Sequence, residues 1–469
     1  MESRPSKTGQ SRDRISALPD ELLLGILERL RLRDAVRAGA VSTRWWHLPH
    51  QLSRLILSRR NFHGTTPHEI MDAFTGATQG LLCVPPLADS KCDCRSTRAV
   101  KVLRLNFYVS APHLSSIGSA VEDTVSRGQT EHLVFDVVPP SSDLRHASGV
   151  TKFGQQFMSF SRACPIAFRW LTCLFLSSLK FRAFDLQRLV RACEKLKVLY
   201  LTSCRLVKDS VLKIDVPNSV IEKLQFFHFR CKRIDLVSVP KLTQLECFYT
   251  AYSKKTPLLL GYVPELRKVE LCSHVKGWKA PFALSECFSM NACKLSELYL
   301  EFNCRKIWVK PEHPKQLSGI FSNLTRVALW FIFPECDLKW TLFILDAAPA
   351  LKNFALNRIR HSCFGQSPEE NALKANVVWE PPKDMKHLNL KLLVVMGFEE
   401  EDQVTNYIRI IMELAVGLKK IKLRGHPCKH CSAIDPETPR RFEEDEARRH
   451  RVRERLTHGS SSSVQIIVS

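Results

Sequence analysis

The chain has 469 residues, long enough for two or three domains, and its 45% apolar and 25% charged content is that of a globular protein rather than a disordered one. Lys and Arg number 69 against 47 Asp and Glu, a formal charge of +22, while glycine, at 18, is too scarce for a collagen-like or glycine-rich chain. No run of about 18 uncharged apolar residues exists, so no membrane span is expected.

Residues 1–14, MESRPSKTGQSRDR, are polar and read as a disordered N-terminus, with no apolar run of leader type before Leu18. The 17 cysteines are scattered and odd in number, so they read as reduced thiols of a protein in the cytoplasm, the nucleus or both. The positive charge is spread through the middle of the chain, while the tail Asp435–His458 balances seven acids with seven arginines. Spread charge favours acidic or phosphorylated partners. A basic solvated surface accounts for it more simply than nucleic-acid binding does.

Residues 15–49 predict three short helices. Pro19 suits a helix start, Asp20 and Glu21 suit its first turn, and Leu22, Leu23, Ile26, Leu27 and Leu30 recur at helical spacing. A second helix fits Arg33–Ala38, ending near Gly39, and a third starts after Ser42 and stops before Pro49. So short a module buries too little surface to stand alone. Its sequence, LPDELLLGIL, then Arg33-Asp34, then VSTRWWHL, resembles an F-box. The resemblance implies that Leu18, Pro19, Ile26, Leu27, Leu30, Val41, Ser42 and Trp45 dock onto a Skp-type adaptor and through it a cullin. The family often has Cys where this chain has Ser42.

Residues 50–386 repeat a pattern of apolar, two residues, apolar, one residue, apolar. Leu171-Leu174-Leu176-Leu179 is the cleanest copy; Leu196-Leu199-Leu201-Cys204, Leu242-Leu245-Cys247, Leu266-Val269-Leu271, Leu295-Leu298-Leu300, Leu324-Val327-Leu329 and Leu351-Phe354-Leu356 follow. Leu52-Leu55-Leu57, Val100-Leu103-Leu105, Leu133-Phe135 and Leu224-Phe227-Phe229 are weaker copies. A period of roughly 20–29 residues with this motif is the leucine-rich-repeat signature. Each copy puts two side chains on one strand face, which only stacked neighbours can bury. The expected fold is therefore α/β: a leucine-rich-repeat solenoid, a curved parallel strand ladder with outer helices such as Phe184–Lys195, preceded by the helical module. Cys204, Cys272 and Cys304 read as core or turn residues rather than ligands.

Residues 387–434 read as strand, helix, strand, and are expected to cap the ladder. HLNLK, MGFEEE and LKKIKL resemble the FBD region that follows F-box and leucine-rich repeats in plants. Residues 435–469 read as a charged helix and a terminal strand through Val464, Ile466, Ile467 and Val468.

Within the strands, residues flanking the inward pair point to the concave side. This gives a candidate substrate face of Tyr200, His228, Arg230, Phe248, Lys268, Tyr299 and Trp330, rich in the residue types that dominate binding hot spots. His426, Cys428, His430 and Cys431 crowd into HPCKHC with CxxC spacing, but six consecutive residues rarely wrap a tetrahedral ion alone, so no metal and no cofactor is expected. RRHRVRER (448–455) is flanked by acids and reads as a solvated helix. P-loop, GxSxG and HExxH motifs are absent, which gives catalysis no support. The resemblance implies a non-catalytic substrate receptor of a ubiquitin ligase. A repeat scaffold working without a ligase is the alternative, and a basic nucleic-acid-associated protein a weaker one.

Overall fold

The computed structural model describes residues 15, 17–42, 44–82, 100–140, 147–252, 256–273, 281–302, 307–333, 336–358, 379, 385–425, 446–458 and 463–469. The chain divides into two units, Met1–Leu179 with Ala192–Leu196, and Lys180–Arg191 with Lys197–Ser469. No helix among the described residues is long and apolar enough to cross a membrane.

In the first unit Pro19 is the N-cap of α1 (Asp20–Leu27), and Asp20 and Glu21 occupy the first turn, where the positive helix end favours acids. Leu23 and Leu27, four apart, face the interior, while Leu22 and Ile26 face solvent. After α2 (Leu32–Gly39) the chain turns back; a Cβ on Gly39 would lie 2.7 Å from Pro49 Cγ, so glycine permits this packing. The expected third helix does not form among the described residues. The Ser42 hydroxyl does accept from the Arg44 amide at 3.2 Å, but the backbone then closes three-residue turns into a 3-10 segment at Leu48–Gln51.

A parallel ladder follows: β1 (Arg54–Ser58), β2 (Val102–Tyr108), β3 (His132–Val138) and β4 (Leu171–Ser177). Register aligns Leu57, Leu105, Phe135 and Leu174 in one buried row. Helices α3 (Pro67–Leu82), α4 (Ala111–Val125), α5 (Ala147–Ala163) and α6 (Pro165–Trp170) belong to the same unit. Phe107, Phe135, Phe160 and Phe168 meet at centroid distances of 5.2–6.2 Å. Such pairs contribute about 0.5–1.5 kcal/mol each beyond area burial.

The second unit starts its outer layer with α7 (Ala183–Ala192), where Leu186, Leu189 and Val190 are buried at helical spacing. Its parallel ladder runs β5 (Val198–Thr202), β6 (Lys223–Phe227), β7 (Gln244–Tyr252), β8 (Lys268–Ser273), β9 (Glu297–Glu301), β10 (Arg326–Ile332), β11 (Asn353–Arg358), β12 (Leu392–Met396), β13 (Lys420–Arg424) and β14 (Gln465–Val468). The inward pairs of the repeat motif are buried, from Leu199 and Leu201 to Ile421 and Leu423. One copy is out of register with its expectation. Leu224 and Phe226, not Phe227 and Phe229, stand beside Leu245 and Cys247, because residues two apart share a strand face. The chain then turns through left-handed residues, Ser203 (φ 52°) after β5 and His228 (φ 50°) after β6, each followed by a buried anchor, Cys204 and Phe229.

The outer layer departs from helices. Val211–Asp215, Arg233–Ser238 and Leu258–Tyr262 form a second, three-stranded parallel sheet. Leu212 and Ile214, Ile234 and Leu236, Leu258 and Leu260 are its buried pairs, a period of two that a helix cannot satisfy. Gly261 belongs to this sheet: an added Cβ would lie 2.5 Å from the Val237 carbonyl oxygen. A one-turn helix at Ser318–Phe321 is followed by α8 (Leu342–Ala347) and α9 (Asp402–Leu414).

The C-terminal strand, helix and strand are β12, α9 and β13, but β13 does not end the ladder. Strand β14 adds to it in parallel, and α10 (Glu446–Thr457) packs on α9. Arg448 pairs with Glu400 at 2.6 Å, Arg409 donates to the Arg455 carbonyl at 2.6 Å, and Arg455 pairs with Asp402. Arg453 donates to the Ile466 carbonyl at 3.3 Å, tying α10 to β14. The tail is thus part of the cap.

Candidate functional site

The helical module carries more exposed apolar surface than its own packing requires. Arg44 braces it, donating to the Leu18 carbonyl at 2.7 Å and pairing with Asp20 at 3.3 Å. Glu28 accepts from the Ser53 hydroxyl at 2.6 Å and so anchors the end of α1 to the start of the ladder. On this frame Pro19, Ile26, Leu30 and Val41 are exposed, Val41 to 86%, and Leu18, Ser42 and Trp45 are half-buried. Leu27 differs: it is 1% exposed and belongs to the interior, because a stripe of adjacent leucines splits between two helix faces. Ile15, Leu22, Val36 and Trp46 are exposed apolar residues of the module outside that motif-based set. The spacing of Leu22 and Ile26, one helical turn, is the signal that finds Leu22. An apolar hollow of about 540 Å³ lies beside them, lined by Val36, Trp46, Ile56, Phe62 and Leu81 with Arg33 at its edge.

The second candidate surface is the open face of the β5–β13 ladder. Register sorts its side chains into three rows. The first runs Val198, Lys223, Gln244, Lys268, Glu297 and Arg326; the middle runs Tyr200, Gln225, Glu246, Glu270 and Tyr299; the third contains Thr202, Phe227 and Phe248, and further along Glu301 and Trp330. Tyr200, Phe248, Lys268, Tyr299 and Trp330 therefore all lie on the open face. His228 and Arg230 do not. His228 is the left-handed turn residue after β6, a conformation that His tolerates better than most, and Arg230 lies beyond it at the short Arg230–Cys231 strand. Phe227 takes the face position, with its ring 6.5 Å from that of Phe248.

Acids missed by selecting aromatics hold this face together. Lys223 pairs with Glu246 and Lys268 with Glu270, both at 2.6 Å, and Arg326 with Glu297 at 3.1 Å. Lys268 also sits 5.1 Å from the centre of the Tyr299 ring and Lys223 5.7 Å from that of Tyr200. The Tyr299 hydroxyl lies 3.0 Å from Glu297, and partial burial with that acid beside it raises the phenol pKa. Burial alone would lower the Lys268 pKa, but the hydrogen bond and charge of Glu270 outweigh it and raise the group. Towards the C-terminus the pattern changes. Lys420, Lys422 and Arg424 project from β13 beside the half-buried Leu392, Val394 and Met396 of β12, and have no ion pair among the described residues.

Cys204 and Cys272 are buried, as core or turn residues should be. HPCKHC, Cys304 and residues 435–445 lie outside the described residues.

Comparison with known proteins follows the same division. Residues 148–452 match a family model described as At1g61320/AtMIF1, LRR domain, and residues 15–48 match an F-box-like model. The chain is 23% identical to the F-box/FBD/LRR-repeat protein At5g22660 of Arabidopsis thaliana over 466 residues, which cover 91% of this chain and 92% of the relative. Shorter similarities join it to the F-box protein At1g80960 (48% over 48 residues, 10% of each chain) and the FBD-associated F-box protein At5g18780 (42% over 59 residues, 13% of each), both from the same plant.

Proposed function

Because the chain belongs to the plant F-box, leucine-rich-repeat and FBD proteins, with a repeat domain of the At1g61320/AtMIF1 type, we propose that it is a non-catalytic substrate receptor of an SCF-type (Skp–cullin–F-box) ubiquitin-protein ligase. The observation that carries this reading is the exposed apolar set on a braced helical module, Leu22, Ile26, Leu30, Val41 and Trp46, which a docked partner would take out of water. A Skp-type adaptor takes that surface and links it to a cullin. Apolar anchors at helical spacing suit helix-in-groove recognition. The repeat ladder holds a protein substrate on its open face, in the cytoplasm, the nucleus or both. No side chain has to react: tethering raises the local concentration of substrate lysines near a charged conjugating enzyme.

The substrate favoured by charge is acidic or phosphorylated. The bases of β6–β10 already have acids beside them, whereas Lys420, Lys422 and Arg424 stand next to an apolar strand with no ion pair among the described residues. Affinity purification of the tagged chain, with and without proteasome inhibition, tests the reading. A Skp-type adaptor and a cullin should copurify, and a substrate should accumulate under inhibition. Repeat-bound proteins without adaptor or cullin would replace the ligase by a scaffold.

A further inference from the structure

A cluster outside both surfaces joins α3 to α4. His68 and Asp72 stand four apart on α3 and share one face of it. His113, in the first turn of α4, meets them there. His68 Nδ1 lies 2.8 Å from Asp72 Oδ2, and His113 Nε2 lies 2.7 Å from Asp72 Oδ1. The donor atoms of all three residues lie within 4.8 Å of one another. His113 is nearly enclosed, with its side chain 7% exposed, while His68 and Asp72 open to solvent. Ser110 is the N-cap residue of α4, yet its side chain makes no cap bond. Its Oγ instead lies 2.9 Å from His113 Nδ1.

We propose that His68, Asp72 and His113 bind a divalent transition-metal ion, Zn²⁺ foremost, with Ser110 as the positioning residue. Two imidazoles and a carboxylate form a borderline donor set that suits Zn²⁺, whereas Mg²⁺ and Ca²⁺ call for oxygen. A tetrahedral ion with bonds of about 2.0–2.2 Å holds its ligands about 3.3 Å apart; His68 and His113 now contact different oxygens of Asp72, so one oxygen becomes the ligand and the rings shift to meet the ion. Exposed His68 can swing to meet the ion, and water completes the tetrahedron. The proton now between His113 Nε2 and Asp72 must leave that edge for the ion to bind. Ser110 allows this, since a hydroxyl donates to Nδ1 in one tautomer and accepts from it in the other. Holding the second nitrogen of a ligating histidine is the common outer-shell arrangement. Glu69 does not compete, because both its oxygens accept from Thr65. The ion would cross-link α3 to α4, and α3 packs on both β1 and β2.

The test uses the full-length protein, stripped with a chelator and titrated with Co²⁺ and Zn²⁺. Wild type should show a cobalt d–d spectrum without sulfur-to-metal charge transfer for one equivalent, and a zinc-dependent rise in unfolding temperature. His68→Ala, at an exposed position, should lose that equivalent with its fold intact. Ser110→Ala should weaken binding about 10–100-fold, the range for loss of an outer-shell partner. If His68→Ala and Asp72→Asn bind cobalt with wild-type stoichiometry and affinity, the site does not exist; if every cobalt spectrum carries sulfur charge transfer, cysteines hold the ion instead.

Discussion

Two leucines five residues apart on α1 should fail in different ways. Leu22 is 56% exposed and Leu27 1% exposed. Covering a whole leucine is worth about 1.5–3 kcal/mol, so adaptor docking over the exposed part of Leu22 gains about 0.8–1.7 kcal/mol, or about 4- to 20-fold in Kd. Leu22→Ala should weaken adaptor binding by that factor and leave the fold unchanged. Leu27→Ala removes buried methyl groups instead, which costs about 2–5 kcal/mol of stability. Binding measured by calorimetry and hydrogen exchange of the α1 and α2 amides separate the two effects. Leu22→Ala should change only the first, and Leu27→Ala should strip protection from both helices. Unchanged affinity in Leu22→Ala, with weakened affinity and full protection in Leu27→Ala, would refute the assignment of the two faces.

Tyr299→Ala with Trp330→Ala should release a substrate found by proximity labelling while adaptor pull-down is preserved; retention by the double mutant, with release by charge reversal on the outer layer, would move the site off this face. Lys422→Glu should weaken binding of an acidic substrate and flatten its salt dependence, read from Kd between low and high ionic strength. Burial lowers the His387 pKa below 6.5, and the ring is held neutral: Nδ1 accepts from the Leu390 amide at 3.1 Å and Nε2 faces the Ala348 carbonyl at 2.9 Å. Between the two pKa values only the unfolded chain takes up the proton, so stability should fall as pH drops below about 6.5. His387→Gln should flatten that slope in the unfolding temperature against pH.

The repeat core was legible because its signal is local. Leu298 and Leu300 are two apart, so they must share a strand face, and similar pairs at similar steps must stack. What the motif could not supply was the register of an irregular copy. In KLQFFHF three aromatic residues fit either face, and only the pairing of Phe226 with Cys247 decides which turns inward. The outer sheet was missed for a related reason: VLKID, RIDLVS and LLLGY alternate too briefly to be separated from the inner strands by pattern alone. In the helical module Trp45-Trp46 gave no periodicity to separate the half-buried ring from the exposed one, and the cap at Ser42 opens three-residue turns, from Trp45 to Ser42 and from Leu48 to Trp45, instead of a helix.

Net charge told least about where a partner would sit, and the ladder shows why. A composition of +22 counts Lys223, Lys268 and Arg326 equally with Lys420, Lys422 and Arg424. On the open face the first three have acids within hydrogen-bonding reach, so their fields largely cancel beyond a few ångströms. The second three lie along one strand without such acids among the described residues, and their field acts beside the half-buried apolar side chains of Leu392, Val394 and Met396. An acidic segment with an apolar residue or two gains both terms there, but only the weaker aromatic term over β9 and β10. If this face holds a substrate, as proposed, its selectivity comes from where the acids stop, a property of register that no count of charges contains.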